Sequence, residues 1–447
     1  AEVRADVAQK RARATASRKA RRRLEDTWAK VDPGDPRTWL RRVPGRYTPP
    51  GGPRFNNPYG SRTRKRTLVT HLVRSIASSP GYQTWNPIKK RRMPCPTQPR
   101  FFPSEIKVAS YSITDAAFSD ALVAAHGRCV SVQVLMNSHL TSITSLSYGR
   151  IEAALGRRPA TGWQNRRSFT HRCSNGCLGS SVLHSKIFLF SRAGAARRTV
   201  VTGSSNVTAN AVNRQWNDLF TVNNDARLYS QFRTQFLRMV PDRRGNGPWI
   251  YRDGRYTTTF YPQRRATPAS DETMSALRRV RCTGARGGAG IKGRTVIYIA
   301  MHAWFGTRGH YLTQRIRQLY RQGCYVRVLY NFMSKRTHRA LTAGTGPRMQ
   351  ARRVLFPGRS GLVASKYSHL KMMAVSGRVG SDRSAWVVWT GSNNWTDRGN
   401  RADEVTLQIV SRPVYNAYVR NWKFMRKRRS TPVWAMFPEP TGGGRAP

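Results

Sequence analysis

Acidic residues are scarce in this chain. Asp and Glu total 21 of 447 residues against 79 Lys and Arg, giving a formal charge of +58 and a pI near 11.7. A field of that size and sign leaves polyanions as the natural partners: nucleic acid, an anionic lipid surface or an anionic cell-wall polymer. The imbalance is not confined to a tail, since residues 1–66 carry a net +13 and the remainder +45. Long apolar runs are missing too. No stretch of about 18 apolar residues occurs, so no membrane-spanning helix is expected, while 39% apolar content is enough for a globular core. Metal-ligand spacing is nearly absent. Cys173-Ser-Asn-Gly-Cys177 with His171 beside it has a zinc-like spacing, but no second pair follows. His71, His126, His139, His302, His310 and His338 stand without paired ligands. No metal and no other cofactor is expected. The chain opens at Ala1 with no Met and no apolar leader, which reads as a mature secreted protein after signal removal.

What is present is organised as one unit written twice. Residues 1–53 form a basic extension ending in a Pro/Gly linker, with "VAQKRARATASRKARRRLEDTWAK" as a candidate basic helix. Two repeats follow, over 54–250 and 251–447. In the first, 66–79 has helical apolar spacing, 105–113 reads as a strand, 114–128 as a helix closed by Gly127, and 129–137 as a strand. In the second, "DETMSALRRV" is helical, "RTVIYIAMHAW" a strand, "GHYLTQRIRQLYRQG" a helix closed by Gly323, and "CYVRVLYNF" a strand. Alternating β and α elements predict an α/β fold in which each repeat is a mixed sheet flanked by helices, the two packed with pseudo-two-fold symmetry. Cys129 and Cys324 open matched strands, and Cys95 and Cys282 each precede the first core strand. The expected disulfides are Cys95–Cys129, Cys282–Cys324 and a tight Cys173–Cys177 loop, which suits an oxidising compartment.

The chemistry-bearing residues repeat as well. "LHSKIFLF" holds His184 and Lys186, and "SHLKMMAV" holds His369 and Lys371. On a strand, residues two apart share a face. "TGSSN" then supplies Ser204 and Asn206, and "TGSNN" supplies Ser392 and Asn394. An acid precedes an apolar strand in each copy, Asp218 in "QWNDLFTV" and Glu404 in "RADEVTLQIV".

His-x-Lys followed by Gly-Ser-x-Asn, present twice, resembles the phospholipase D superfamily in its secreted bacterial type, whose hallmark is a duplicated HKD motif. The resemblance covers most of residues 54–447. It implies a metal-independent phosphodiesterase with one active site built at the interface of the two repeats. The motif Asp, five residues after each Lys, is replaced here by Ser191 and Ser376. By that resemblance His184 is the nucleophile and His369 the acid/base. Lys186, Lys371, Asn206 and Asn394 would hold the non-bridging oxygens. Asp218 and Glu404 would each accept from a histidine Nδ1.

Three functions follow. The first is a nuclease, with Trp85 beside Lys89–Arg92, and Trp249, Tyr251 and Tyr256 beside Arg252 and Arg255, as base-stacking stretches. The second is a phospholipase D that hydrolyses or transfers phospholipid head groups, in peripheral contact with a membrane surface, with "HAWFG" (302–306) as its interfacial loop. The third is a polyanion-binding protein without catalysis. Charge favours DNA or RNA over anionic phospholipid as the diester.

Overall fold

The computed structural model describes Thr15 and residues 40–86, 89–138, 145–357 and 364–427. The basic extension before residue 40, Thr15 apart, lies outside the described residues together with its expected helix, and so does His139.

Two mixed sheets dominate. The first runs, in spatial order, through Gly52–Phe55, Asp218–Val222, Ala196–Gly203, Ile187–Ala193, Glu105–Ser110, Ser131–Asn137 and Phe169–Cys173. The last three are mutually parallel and the rest antiparallel. The second follows the same plan: Trp249–Asp253, Tyr256–Phe260, Val405–Val410, Asp382–Gly391, Lys371–Val379, then the parallel set Val296–Trp304, Tyr325–Met333 and Met349–Arg353. The parallel strands are near-continuous apolar runs because both of their faces are covered. Val108, Val132 and Val134 face the helices Arg62–Ala77, Ala116–Gly127 and Ser145–Leu155, while Ala109 and Leu135 face the other half.

Between the sheets lie the helices Ala226–Met239 and Arg412–Arg426. The first buries Leu228, Phe232, Phe236 and Met239, and the second Tyr415, Tyr418, Trp422 and Met425, spacings that put each set on one helical face. Asp225 and Ser411 cap them by accepting from Leu228 N and Val414 N. These side chains join Leu189, Val200, Phe220, Tyr298, Leu329, Met372 and Leu407 in one core shared by both sheets. Each buried aromatic or aliphatic side chain there contributes about 2 kcal/mol, so the halves are welded rather than tethered.

All three disulfides form as paired from the repeat: Cys95–Cys129, Cys173–Cys177 and Cys282–Cys324, with Cα separations of 5.2, 5.0 and 4.6 Å. Their symmetry is looser than expected. Ser131 pairs with Glu105 as Tyr325 pairs with Val296, so Cys324 matches Val130, and Cys129 matches Gly323. Both helices end in the same turn, in which the residue past it has positive φ: +98° at Gly323 and +67° at Cys129. Val130 N donates to Ala125 O as Cys324 N donates to Leu319 O, at 3.1 Å each. Gly127 therefore does not close its helix. Cys129 does, in a left-handed conformation that costs a residue with a Cβ about 1–2 kcal/mol.

Candidate active site

The His-x-Lys segments stand at the mouths of strands rather than inside them. The strands begin at Ile187 and at Lys371. The expectation that His and Lys project together from one strand face gives way to a different arrangement. Each lysine folds back on its own histidine: Lys371 Nζ donates to His369 O at 2.7 Å, and Lys186 Nζ donates to His184 O.

The opposite half holds each segment. His184 N and Ser185 N donate to Asp403 O at 2.9 and 2.7 Å, and His369 N donates to Trp216 O at 2.9 Å. Leu183 bridges to Asp403, and Ser368 pairs with Trp216, both in parallel register. Side chains cross the same boundary. His184 Nδ1 meets Glu404 Oε1 at 2.8 Å, and His369 Nδ1 meets Asn217 Oδ1 at 2.8 Å. Asn217 Nδ2 donates to Gln215 Oε1, and Asn217 Oδ1 also accepts from Ser204 Oγ. Oδ1 is therefore the acceptor toward His369, whose Nδ1 carries the proton and whose Nε2 is the free lone pair.

Asp218 does not orient a histidine. It lies one residue past the position that does, because Gly203 pairs with Leu219 whereas Gly391 pairs with Thr406. Asn217 is thus the counterpart of Glu404. Asp218 instead accepts from Ser204 N, Thr390 Oγ1 and Tyr418 Oη, tying the two sheets together. Ser204 and Ser392 anchor the chain beside the orienting residues, their hydroxyls accepting from Asp218 N and Val405 N at 3.0 Å each. Asn394 Oδ1 accepts from Ala303 N at 3.2 Å, and Asn206, half-buried, occupies the matching turn of the first half. Ser191 and Ser376, which stand where the motif has Asp, lie five residues down their strands. Their hydroxyls accept from Glu105 N at 2.7 Å and Gly290 N at 2.9 Å.

A family model described as cardiolipin synthase, PLD-like domain, matches residues 103–240. Residues 103–240 thus carry a phospholipase D-like domain. No curated protein sequence matches it significantly. Among solved structures, polyphosphate kinase from Porphyromonas gingivalis superposes with a TM-score of 0.50 at 11% identity, over 84% of this chain and 50% of the kinase. The chain thus spans half the length of that protein, and the likeness shows the fold alone. Phosphatidylserine synthase of Haemophilus influenzae Rd KW20 gives 0.49 at 13% identity over 84% and 86% of the two chains. The phospholipase D family member Nuc from Salmonella typhimurium gives 0.28 at 18% identity over 43% and 96%.

At this centre, two rings escaped sequence reasoning. Tyr111 packs edge-on against His184 at 5.2 Å, and His302 against His369 at 4.5 Å between centroids. They are counterparts, since Glu105 and Val296 hold equivalent strand positions and each ring lies six residues on. His302 Nδ1 contacts Ser368 O and Asn331 Nδ2 at 3.1 Å each. The signal was available: both rings follow the first core strand of a repeat at the same spacing. Asn217 was missed because an amide, not an acid, fills its place.

Burial dominates the electrostatics. It brings the Lys186 ammonium down to about 7, against the pull of Glu404. Burial and then the Lys186 charge push Lys371 well below its usual value. His369 and His302 are held well below 6.5 by burial and by the Lys371 charge. Burial raises Glu404 to about 7, opposed by Lys186. Asp403, beside it, is raised to about 7 by burial, although Cys177 N, Leu178 N and Gly179 N donate to its carboxylate. The cluster is short of negative charge, and an anion entering it would favour every cationic form at once.

The other sequence candidates lie elsewhere. Trp304 of "HAWFG" is fully buried against Trp395 at the end of a core strand, while Phe305 is half-buried and Gly306 exposed, so no extended apolar loop stands out there. Trp249 and Tyr251 pack on Arg238 of an inner helix. Trp85 is 52% exposed on a short hairpin opposite Arg92. The zinc-like group reduces to His171 with Asp242 at 2.9 Å, because Cys173 is consumed by its disulfide.

Proposed function

We propose that this protein is a phosphodiesterase that cleaves nucleic acid through a phosphohistidine intermediate on His184. The observation that carries the reading is the crossed pair His184–Glu404 and His369–Asn217, in which each half orients the other half's imidazole. A phosphodiester is anionic and resists attack, so the centre must first offset its charge. Lys186 and Lys371, with the amides of Asn206 and Asn394, supply that by holding the non-bridging oxygens.

The unequal partners separate the roles. When His184 Nε2 attacks phosphorus, the P–N bond forms, the ring becomes cationic, and the Glu404 carboxylate stabilises it. The P–O bond to the leaving group breaks, and that oxygen takes the proton from His369 Nε2. Neutral Asn217 fixes the His369 ring without holding its charge, so the proton departs readily. Water then attacks phosphorus, His369 Nε2 takes its proton, and the P–N bond breaks. Substrate phosphate, by raising the His369 pKa, would load the acid that the empty site keeps neutral.

Nucleic acid is favoured over phospholipid by the charge of the body and by the burial of Trp304, the largest apolar side chain of the expected interfacial loop. Three disulfides with no free cysteine among the described residues support an extracytoplasmic setting. A parallel assay with EDTA on supercoiled DNA, RNA and phosphatidylcholine vesicles decides the substrate. Cleavage of DNA or RNA that collapses in His184→Ala and in His369→Ala is the expected result. Cleavage surviving both substitutions would end the mechanism, turnover of vesicles alone would reverse the substrate, and binding without cleavage of any diester would leave a polyanion-binding protein.

A further inference from the structure

Away from the histidines, the inner edge of the second half gathers cations without acids. A cleft of about 390 Å³ is lined by Arg327, Arg352, Lys423, Arg426 and Lys427. Three elements supply them: the strands Tyr325–Met333 and Met349–Arg353, and the end of the helix Arg412–Arg426 with Lys427 just past it. None of the five forms an ion pair with an acid among the described residues. Two are fixed by backbone carbonyls: Arg327 Nη1 donates to Arg348 O at 2.7 Å, and Arg352 Nη1 donates to Arg426 O at 2.9 Å. Burial lowers the Arg327 pKa, Tyr298 opposes that in part, and the Arg426 charge adds to it.

A helix C-terminus favours a cation or two in its last turn. It gives no reason for two guanidinium groups on the sheet facing it. Like charges held together in a concave site repel unless an anion joins them. The place is also distinct from the histidine centre. Tyr298, in the cleft wall, precedes His302 by four residues on one strand, about 13 Å at 3.3 Å per residue, and fully buried Ala300 and Leu329 lie between. Tyr298 and Trp422 line the cleft but are buried, so neither ring is offered to a base. A concave, charged cleft suits a strand of phosphates better than the flat surface of a bilayer.

We propose that this cleft is a second anion site, which grips the phosphodiester backbone of a nucleic acid while another stretch of the same molecule lies at His184 and His369. The identity of its ligand rests on the nucleic-acid reading above. Lys423, Arg426 and Lys427 are exposed and their side chains make no hydrogen bond among the described residues, so the triple change K423Q/R426Q/K427Q leaves the fold in place. Fluorescence anisotropy with a labelled 20-mer oligonucleotide measures binding in a His184→Ala background, which avoids cleavage. The triple change should weaken binding about tenfold or more and lower the salt slope by about 2 to 3, with an unchanged melting temperature. A matched triple change of exposed Arg197, Arg286 and Arg321 should cost less than half of that. Equal affinity and slope with and without the cleft cations, or the same loss from both triples, would overturn the cleft while leaving the nucleic-acid reading intact. Absence of oligonucleotide binding by the His184→Ala protein itself at low salt would overturn both.

Discussion

The two halves share a frame and differ in the side chains they set around it. Each has three parallel strands, an antiparallel return entered through His-x-Lys, and a Gly-Ser turn behind the residue that crosses to the other half. Where the second half supplies Glu404, the first supplies Asn217. Where the first sets Tyr111 against its histidine, the second sets His302. The ion pairs differ too. Arg308 and Asp271 are 1% and 0% exposed, and Arg308 also donates to Asn393 Oδ1, Asn394 O and Thr273 Oγ1. In the first half, Arg66 pairs with Asp115 but stays 30% exposed. A duplicated frame keeps its backbone contacts and differs in the side chains that surround each histidine.

Four measurements test that contrast. Removing either imidazole of the pair, by His184→Ala or His369→Ala, should lower kcat by about 10⁴ or more. Only His184→Ala should also abolish covalent labelling by substrate phosphate that survives an alkaline denaturing quench and is lost in acid. Exchanging the orienting groups should separate the halves next. Glu404→Gln should cost about 10²- to 10³-fold in kcat, whereas Asn217→Asp should keep activity and move the basic limb of the pH–rate profile upward, because a carboxylate raises the His369 pKa. Identical profiles for the two variants would remove the asymmetry on which the roles depend.

Stability should separate the halves as well. Arg308→Met strands a buried carboxylate and should cost about 3–5 kcal/mol in urea unfolding, against less than about 1 kcal/mol for Arg66→Met. Burial alone would raise Asp271, yet the Arg308 charge and its hydrogen bonds bring it down to about 2. Its contribution is therefore full above the unfolded value and is lost as pH falls through 2.

The smallest effect concerns His71. Burial and the Arg54 charge hold it at about 3, with Tyr47 Oη and Arg54 Nε at its Nδ1 and Thr221 Oγ1 at its Nε2. The unfolded chain binds the extra proton between about 3 and 6.5, so stability falls as pH drops through that window. His71→Gln should flatten the fall of Tm between pH 6.5 and 4. His302 and His369 give the second half a similar sensitivity, but inside the site, where a bound anion should suppress it.

The frame was legible because it rests on local pattern. The helix expected over 66–79 runs Arg62–Ala77, the strands expected from 105 and 294 start at Glu105 and Val296, and the helix expected before Gly323 ends at Arg321, all within a few residues of where apolar spacing puts them. Local pattern failed at junctions. It credited Gly127 with a turn that Cys129 makes, and it set His184 and His369 within strands that start later.

From its residues alone, this protein was committed to a basic, duplicated α/β frame with two His-x-Lys segments and three disulfides, since composition and periodicity are properties of the chain itself. Tertiary structure alone decided which residue faces which histidine. A one-residue difference in strand register puts Asn217, and not Asp218, beside His369. That register is local, since Gly203 and Leu219 lie 16 residues apart and Gly391 and Thr406 lie 15 apart, but the contact it delivers to His369 spans 152 residues of sequence, and only packing of one half on the other makes it.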